Sequence, residues 1–127
     1  MRTRFEFRSS SFPALPGEET EVAPGRWGKR LAELLAAGLR EEGWTVDELS
    51  AASWGWKLSV ENTAFPLWLG CGNSPGAVDG FAVFLEPGEP SVRRLFRRID
   101  TTEIVGRLGD SIERILRRSP EVRDLSA

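Results

Sequence analysis

The sequence predicts an α+β fold in which two amphipathic helices pack on one face of a mainly antiparallel sheet of about five strands, in the order β-α-β-β-β-β-α. Three observations lead to this prediction. Several segments alternate apolar and polar residues, which is typical of half-buried strands, and two longer segments repeat apolar residues at helical spacing. The strands follow one another without strict alternation with helices, which favours antiparallel pairing. A chain of 127 residues is expected to form a single domain, 1–127.

The first half of the chain predicts one strand, one long loop and one helix. Residues 2–8 alternate Phe5 and Phe7 with charged side chains, the pattern of a strand with one buried face. The segment 9–25 holds three prolines and an acidic GEETE stretch, so we expect a loop there. Residues 26–43 predict a helix, because apolar side chains recur at helical spacing and Gly43 can end it. These side chains are Trp27, Leu31, Leu34, Leu35 and Leu39.

The second half predicts four strands and a second helix. The segment VRRLFRR is expected to be a short basic turn between the last strand and that helix. The helix is predicted to begin at Asp100, which with Glu103 resembles a capping box, and to end near Ser119. The four strands are expected at 44–49, 53–61, 67–71 and 81–86, the last two forming a hairpin around GNSPGAVDG.

The residue types present exclude most catalytic chemistry. There is no histidine, which removes Ser-His-Asp and Cys-His arrangements and every histidine-containing metal site. The single cysteine, Cys71, cannot build a thiolate zinc site, and its place in a strand predicts a small buried side chain rather than a nucleophile. Two carboxylates could still meet in space, although their spacing does not indicate it. We therefore expect no catalytic residues, no metal site and no cofactor, and a binding protein rather than an enzyme.

Charge and the N-terminal sequence bear on partners and location. The net charge of -2 does not favour a polyanionic partner, so nucleic acid binding is not expected. The opening MRTRFEFRSS lacks the continuous apolar segment of a signal peptide, and no apolar stretch approaches the roughly 20 residues that cross a bilayer. We therefore predict a cytoplasmic protein without a membrane segment.

Alternation along the strands divides the aromatic side chains between two faces of the sheet. Trp54 and Trp56 are predicted to lie in the core with Leu58 and Val60, because all four share one face of the same strand. Trp68 is predicted to point away from the core, because the residues on either side of it, Leu67 and Leu69, take the core face. The sequence therefore leaves aromatic side chains on the second face of the sheet.

Phe84 falls on that same second face, and we expect it directly opposite Trp68 in the neighbouring strand. With cations nearby, this surface is a candidate partner-binding site formed by Trp68, Phe84, Lys57 and Arg4. The alternative is that the loop 9–25 folds over it.

Two basic clusters suggest other sites. Arg26, Lys29 and Arg30 lie at the start of the first helix, where free N–H groups and cations form a candidate anion-binding site. The alternative is that these side chains pair with the acidic residues Glu18, Glu19 and Glu21 of the preceding loop. The second cluster is followed directly by acidic residues, which favours a solvated turn over nucleic acid binding and leaves its role open. It consists of Arg93, Arg94, Arg97 and Arg98.

The chain resembles a group of short bacterial proteins when its segments FPALPGE, PGRWGKRLAELLAAGL, WGW, LWLGCGN and LFRRIDT are considered together. That group carries segments similar to the first four, in the same order. No activity is attached to that group, so the resemblance implies no functional residues. The sequence departs from the group at Ser53, where an acidic residue often precedes WGW.

The sequence thus predicts a non-catalytic module that binds another protein, with an immunity-type inhibitor of a toxin or a small regulatory partner as examples. The alternative is a binder of a small molecule, phosphate or nucleotide at the N-terminus of the first helix. The partner and the oligomeric state are left open.

Overall fold

The computed structural model describes residues 2–126 and contains one large antiparallel sheet, one separate hairpin and three helices. The helices are α1 (Glu18–Glu21), α2 (Lys29–Glu41) and α3 (Thr102–Arg118). The strands are β1 (Arg4–Arg8), β2 (Ser50–Ala52), β3 (Gly55–Val60), β4 (Leu67–Asn73), β5 (Gly80–Glu86), β6 (Ser91–Arg94), β7 (Arg97–Asp100) and β8 (Arg123–Ser126).

The large sheet has the strand order β2-β3-β4-β5-β1-β8, and every neighbouring pair is antiparallel. Helices α2 and α3 contact each other and pack on the sheet, α2 against β3 and β4 and α3 against β5. The predicted α+β class with a mainly antiparallel sheet is therefore confirmed. The sheet has six strands rather than about five, because the C-terminal segment returns to pair with β1.

The core lies between the two long helices and one face of the sheet. Strands β1, β3, β4 and β5 supply it with alternate residues, as the period of two requires, and α2 and α3 each supply one stripe. The fully buried side chains include Phe5, Leu31, Leu35, Leu58, Leu69, Leu85, Leu108 and Ile112.

Several predicted boundaries were wrong for identifiable reasons. Helix α2 begins at Lys29 rather than at 26, because hydrogen bonds hold residues 25–27 against the end of β4. Residues 44–49 form no strand beyond an isolated bridge from Val46 to Val60, and the edge strand is β2 instead. Helix α3 begins one residue later than a cap at Asp100 implies, with the Asp100 Oδ1 accepting hydrogen bonds from both the amide and the hydroxyl of Thr102.

The predicted basic turn is instead a short hairpin formed by β6 and β7. Leu95 and Phe96 connect its strands, with φ angles of 48° and 68°. Among the residues described, no helix is long and apolar enough to cross a membrane.

Candidate functional site

We call the sheet face turned away from α2 and α3 the open face. It carries a compact aromatic cluster formed by Trp54, Trp68 and Phe84. Trp54 and Trp68 are stacked, with ring centroids 6.0 Å apart and an interplanar angle of 20°. Phe84 meets both edge-on, at 4.9 Å from Trp54 and 5.6 Å from Trp68. All three side chains remain partly exposed, so the rings pack on one another and still offer apolar surface to solvent.

Trp68 and Phe84 lie on the open face as their alternation predicts, but the predicted pairing between them was wrong by two positions. Trp68 is opposite Glu86, and Phe84 is opposite Gly70. The two rings therefore meet diagonally rather than directly across the strands. Register depends on the hairpin loop between β4 and β5, whose length the sequence pattern did not determine.

Trp54 was predicted to lie in the core and instead belongs to the aromatic cluster. Trp56 is buried as expected, with 4% exposure, but the chain turns at Gly55, which has a φ of 150°. A side chain there is sterically impossible, because a Cβ on Gly55 would lie 2.2 Å from the Cys71 carbonyl oxygen. The alternation of β3 therefore does not extend back to Trp54.

Gly70 makes room for the cluster. A Cβ at this position would lie 2.3 Å from Phe84 Cζ and 2.7 Å from Trp54 Cζ3, closer than any real packing contact. The Phe84 and Trp54 rings thus occupy the space that a side chain at position 70 would need. The three rings pack on one another in the free chain, with centroid separations of 4.9 to 6.0 Å.

Cations border the aromatic cluster. Lys57, Gly70, Phe84 and Arg4 occupy one row across strands β3, β4, β5 and β1. The Lys57 ammonium lies over the Trp68 ring, with Nζ 4.7 Å from the centroid, a cation–π contact. Arg4 is largely exposed and lies 3.7 Å from the Glu6 carboxylate. The four residues predicted to bind a partner therefore lie together on one surface.

Two grooves flank the cluster. The first, of about 140 Å³, lies beside Trp54 and Phe84 and is bordered by Arg4 and Arg26. The second, of about 360 Å³, lies beside Trp68. Together with the rings between them, they give the open face an uneven surface that is apolar at the rings and polar or charged at its borders.

The loop 9–25 packs on the other side of the sheet. Phe12 is buried and meets Phe7 and Phe81 edge-on, with centroids 6.3 and 5.7 Å away. These two partners belong to the core face of β1 and β5. Further along the same loop, Glu18 contacts the start of α2. The residues that anchor the loop are thus on the helix side and not over Trp68.

Glu18 occupies the N-terminus of α2, where the sequence predicted an external anion. Its side chain is only 2% exposed, and its carboxylate accepts hydrogen bonds from the amides of Leu15, Gly28 and Lys29 and from Trp56 Nε1, all between 2.7 and 2.8 Å. Burial works to raise the pKa of Glu18, but these hydrogen bonds outweigh burial and hold the pKa below its ordinary value. The chain therefore supplies its own anion to this helix.

The three basic side chains predicted to bind an anion do not converge on one point. Arg26 donates to the Trp54 carbonyl at 3.2 Å, and the Lys29 ammonium lies 4.9 Å from the centroid of the Trp56 ring. Arg30 is exposed on α2. The alternative, pairing of these cations with the loop carboxylates, does not occur within 4 Å among residues 2–126 either, and Glu18 accepts from backbone amides instead.

Asn73 fixes the loop that precedes α2, and sequence reasoning missed its role. It is 5% exposed; its Oδ1 accepts from the Trp27 amide at 2.9 Å and its Nδ2 donates to the Gly25 carbonyl at 3.0 Å. The Asn73 amide also donates to the Trp27 carbonyl. The segments FPALPGE, PGRWGK, WGW and GCGN thus meet at one place through Glu18 and Asn73.

Cys71 has no catalytic environment in the part of the chain described. It is fully buried, and burial raises the pKa of its thiol far above the ordinary value, so the reactive thiolate is suppressed. Within residues 2–126, no three His, Cys, Asp or Glu side chains come together in a way that could hold a metal ion.

Comparison of the chain with family models, with curated proteins and with solved structures found no match.

Proposed function

We propose that this chain is a non-catalytic binding module that recognises another protein through the open face of its sheet. The observation that carries the proposal is the partly exposed cluster of Trp54, Trp68 and Phe84. Tryptophan is enriched among the residues that dominate binding energy at protein interfaces, and clustered exposed apolar side chains mark interaction surfaces.

The close packing of the cluster supports the same proposal. Gly70 lets the rings lie close to the sheet, and the Lys57 ammonium lies over the Trp68 ring. A surface whose side chains are already ordered loses little conformational entropy on binding, so more of the contact energy contributes to affinity. An immunity-type inhibitor of a toxin, or a small regulatory partner, would use such a preformed surface.

Charge at the border would contribute selectivity. Lys57, Arg4 and Arg26 lie around the rings, and Arg4 extends largely into solvent. Border charges act mainly on the rate of encounter and on the choice of partner. A partner surface with carboxylates around an apolar centre would match this arrangement.

The alternative function, binding of phosphate or nucleotide at the start of α2, has weaker support. The amides of Gly28 and Lys29, which such an anion would need, already donate to Glu18. A thermal-shift screen across phosphates and nucleotides tests it. Stabilisation that disappears in Lys29→Ala would revive this function, and a screen without stabilising compounds would argue against it.

The proposed function is tested by affinity purification from a lysate of the source organism, comparing the wild type with Trp68→Ala. We expect at least one protein to be recovered by the wild type and depleted by the substitution, with circular dichroism verifying that the variant is folded. Glu33→Ala, an exposed change on helix α2, is the matched control and should recover the same proteins as the wild type. Identical recoveries from the wild type and Trp68→Ala would contradict the proposal.

A further inference from the structure

Among residues 2–126, three large apolar side chains are highly exposed, and the β6–β7 hairpin carries two of them; the third is Val78. Leu95 is 88% exposed and Phe96 is 97% exposed. At the base of the hairpin, Val92 and Ile99 are paired and pack against the core, which anchors the hairpin to the domain. Its tip therefore extends from a fixed base into solvent.

The tip has a backbone that its residues do not favour. Both connecting residues have positive φ, the geometry of a type I′ turn, in which Asn-Gly is strongly preferred. Leucine and phenylalanine are strained there, because their Cβ atoms approach the neighbouring carbonyl groups. Local strain that persists in a folded protein points to a function at that position.

The strands of the hairpin add a second unfavourable feature. Arg93 is paired with Arg98 and Arg94 with Arg97, so like charges lie directly across from each other. None of these arginines has a carboxylate within 4 Å among residues 2–126. Arg94 donates to the Ala64 carbonyl, and that bond leaves its charge uncompensated. The four charges are available to an anionic partner.

The hairpin also forms one wall of the larger groove on the open face. This groove of about 360 Å³ is lined by Val92, Arg93 and Arg94 of the hairpin and by residues of the large sheet and its loops, which are Phe65, Pro66, Trp68, Glu86 and Pro87. The aromatic cluster and the arginine hairpin are therefore parts of one continuous surface.

We infer that the β6–β7 hairpin is a second recognition element, which inserts Leu95 and Phe96 into an apolar pocket of an acidic protein partner while its arginines contact carboxylates around that pocket. The inference rests on the proposed function, because it names the partner chemistry of the surface that includes Trp68. The four uncompensated arginines determine the charge of the partner, and the apolar tip determines the pocket.

The shape of the surface favours a protein over a lipid bilayer or a nucleic acid. The groove between the hairpin and Trp68 is concave and suited to a side chain from a partner, whereas a bilayer is flat. The net charge of -2 and the presence of Glu86 in the same groove do not favour the broad positive face that polyanions require.

The experiment selects peptides from a displayed random library on immobilised full-length protein and measures the affinity of the enriched peptides for the wild type and for variants. We expect the enriched peptides to combine aspartate or glutamate with an apolar side chain. The double substitution Leu95→Asn with Phe96→Gly gives the turn its preferred sequence. It should raise the melting temperature and weaken binding about tenfold or more.

Charge is tested separately with Arg93→Ser combined with Arg98→Ser, which should weaken binding and reduce its dependence on salt. Arg40→Ser, an exposed change on helix α2, is the control and should leave the affinity unchanged. An affinity that the hairpin variants do not alter would overturn the inference. Enriched peptides without acidic residues would overturn it as well.

Affinities measured for the hairpin variants and for Trp68→Ala separate this inference from the proposed function. If Trp68→Ala loses binding and the hairpin variants keep it, the open face remains the proposed binding surface and the inference about the hairpin is rejected. Binding lost only in the hairpin variants would support the hairpin and reject the aromatic cluster. If wild type also binds vesicles of anionic phospholipid or a single-stranded oligonucleotide more tightly than it binds any enriched peptide, the assignment to an acidic protein is overturned.

Discussion

Substitution of Glu18 by glutamine tests the buried hydrogen-bond network at the start of α2. The carboxylate accepts four hydrogen bonds while 98% of the side chain is removed from solvent, since its exposure is 2%. Glutamine keeps the shape but has one acceptor oxygen. If that oxygen takes the place of Oε2, it still accepts from Gly28, Lys29 and Trp56, and the new NH₂ group faces the Leu15 amide.

The expected destabilisation follows from these contacts. A hydrogen bond to a charged acceptor contributes about 1 kcal/mol more than one to a neutral acceptor, so three weakened bonds lose about 3 kcal/mol. The Leu15 amide then faces a second donor and loses its partner, which adds about 1 kcal/mol. Glutamine also removes the desolvation cost of the buried charge, so about 4 kcal/mol is the upper bound of the destabilisation, against the roughly 5–15 kcal/mol by which small proteins are stable.

Equilibrium unfolding in urea measures this effect directly. Glu18→Gln should unfold at a lower urea concentration with an unchanged slope, because the surface exposed on unfolding is the same. The exposed neighbour provides a control, since Glu19→Gln should lie within about 0.5 kcal/mol of the wild type. A Glu18→Gln protein within about 1 kcal/mol of the wild type would refute this description of the helix terminus.

The dependence on pH gives the same substitution a second readout. The pKa of Glu18 is lower in the folded protein than its ordinary value, chiefly because hydrogen bonds to the carboxylate outweigh the opposing effect of burial. Its contribution is therefore complete above about pH 4.3, the ordinary glutamate pKa, and is lost as the pH falls through the folded-state value. The stability difference between the wild type and Glu18→Gln should shrink over that acid range, and a constant difference would contradict the assignment.

Three further predictions concern the strand beneath the aromatic cluster. Gly70→Ala should displace Phe84 and Trp54, which should change the near-ultraviolet circular dichroism and destabilise the fold by about 1–3 kcal/mol. The control is Gly106→Ala, in an open part of α3, which should stabilise the fold by about 1 kcal/mol. Asn73→Ala should lose about 2 kcal/mol in urea unfolding, because it removes both side-chain hydrogen bonds to the loop before α2; an unchanged midpoint would count against that role. Cys71 should react with Ellman's reagent only after denaturation, and rapid reaction of the native protein would contradict its burial.

The sequence pattern was sufficient for the fold class and for much of the core. Alternation put Phe5 and Phe7 inside and Trp68 outside, because a strand with one buried face imposes a period of two. The apolar stripes of both long helices were also found, although α2 starts three residues after the predicted boundary. These features depend on residues close in sequence, which a periodic pattern records.

The features that were missed depend on contacts between distant segments. Glu18 accepts hydrogen bonds from the amide of Gly28 and the side chain of Trp56, and no sequence pattern around Glu18 indicates these contacts. Trp54 was assigned to the core because alternation was extended through Gly55, where the backbone turns. A glycine between two tryptophans, with further glycines at 70 and 72 in the next strand, was the available signal that this alternation could break.

The β6–β7 hairpin was missed for a different reason. Two-residue hairpin turns usually contain Asn-Gly or a similar pair, which tolerates positive φ. Leu95-Phe96 contains neither residue type, so the sequence did not indicate a hairpin turn here. The segment therefore appeared to be an irregular basic turn. A sequence that violates turn preferences and still adopts the turn is the kind of local inconsistency that accompanies functional sites.

The central claim, recognition of a protein through the open face, is tested most directly by calorimetric titration of the partner that the wild type recovers, against purified wild type and Trp68→Ala. The wild type should bind with a negative heat-capacity change, because apolar surface is buried, and Trp68→Ala should bind about tenfold more weakly or worse. Equal affinities for the two proteins, with Trp68→Ala verified as folded, would contradict the claim.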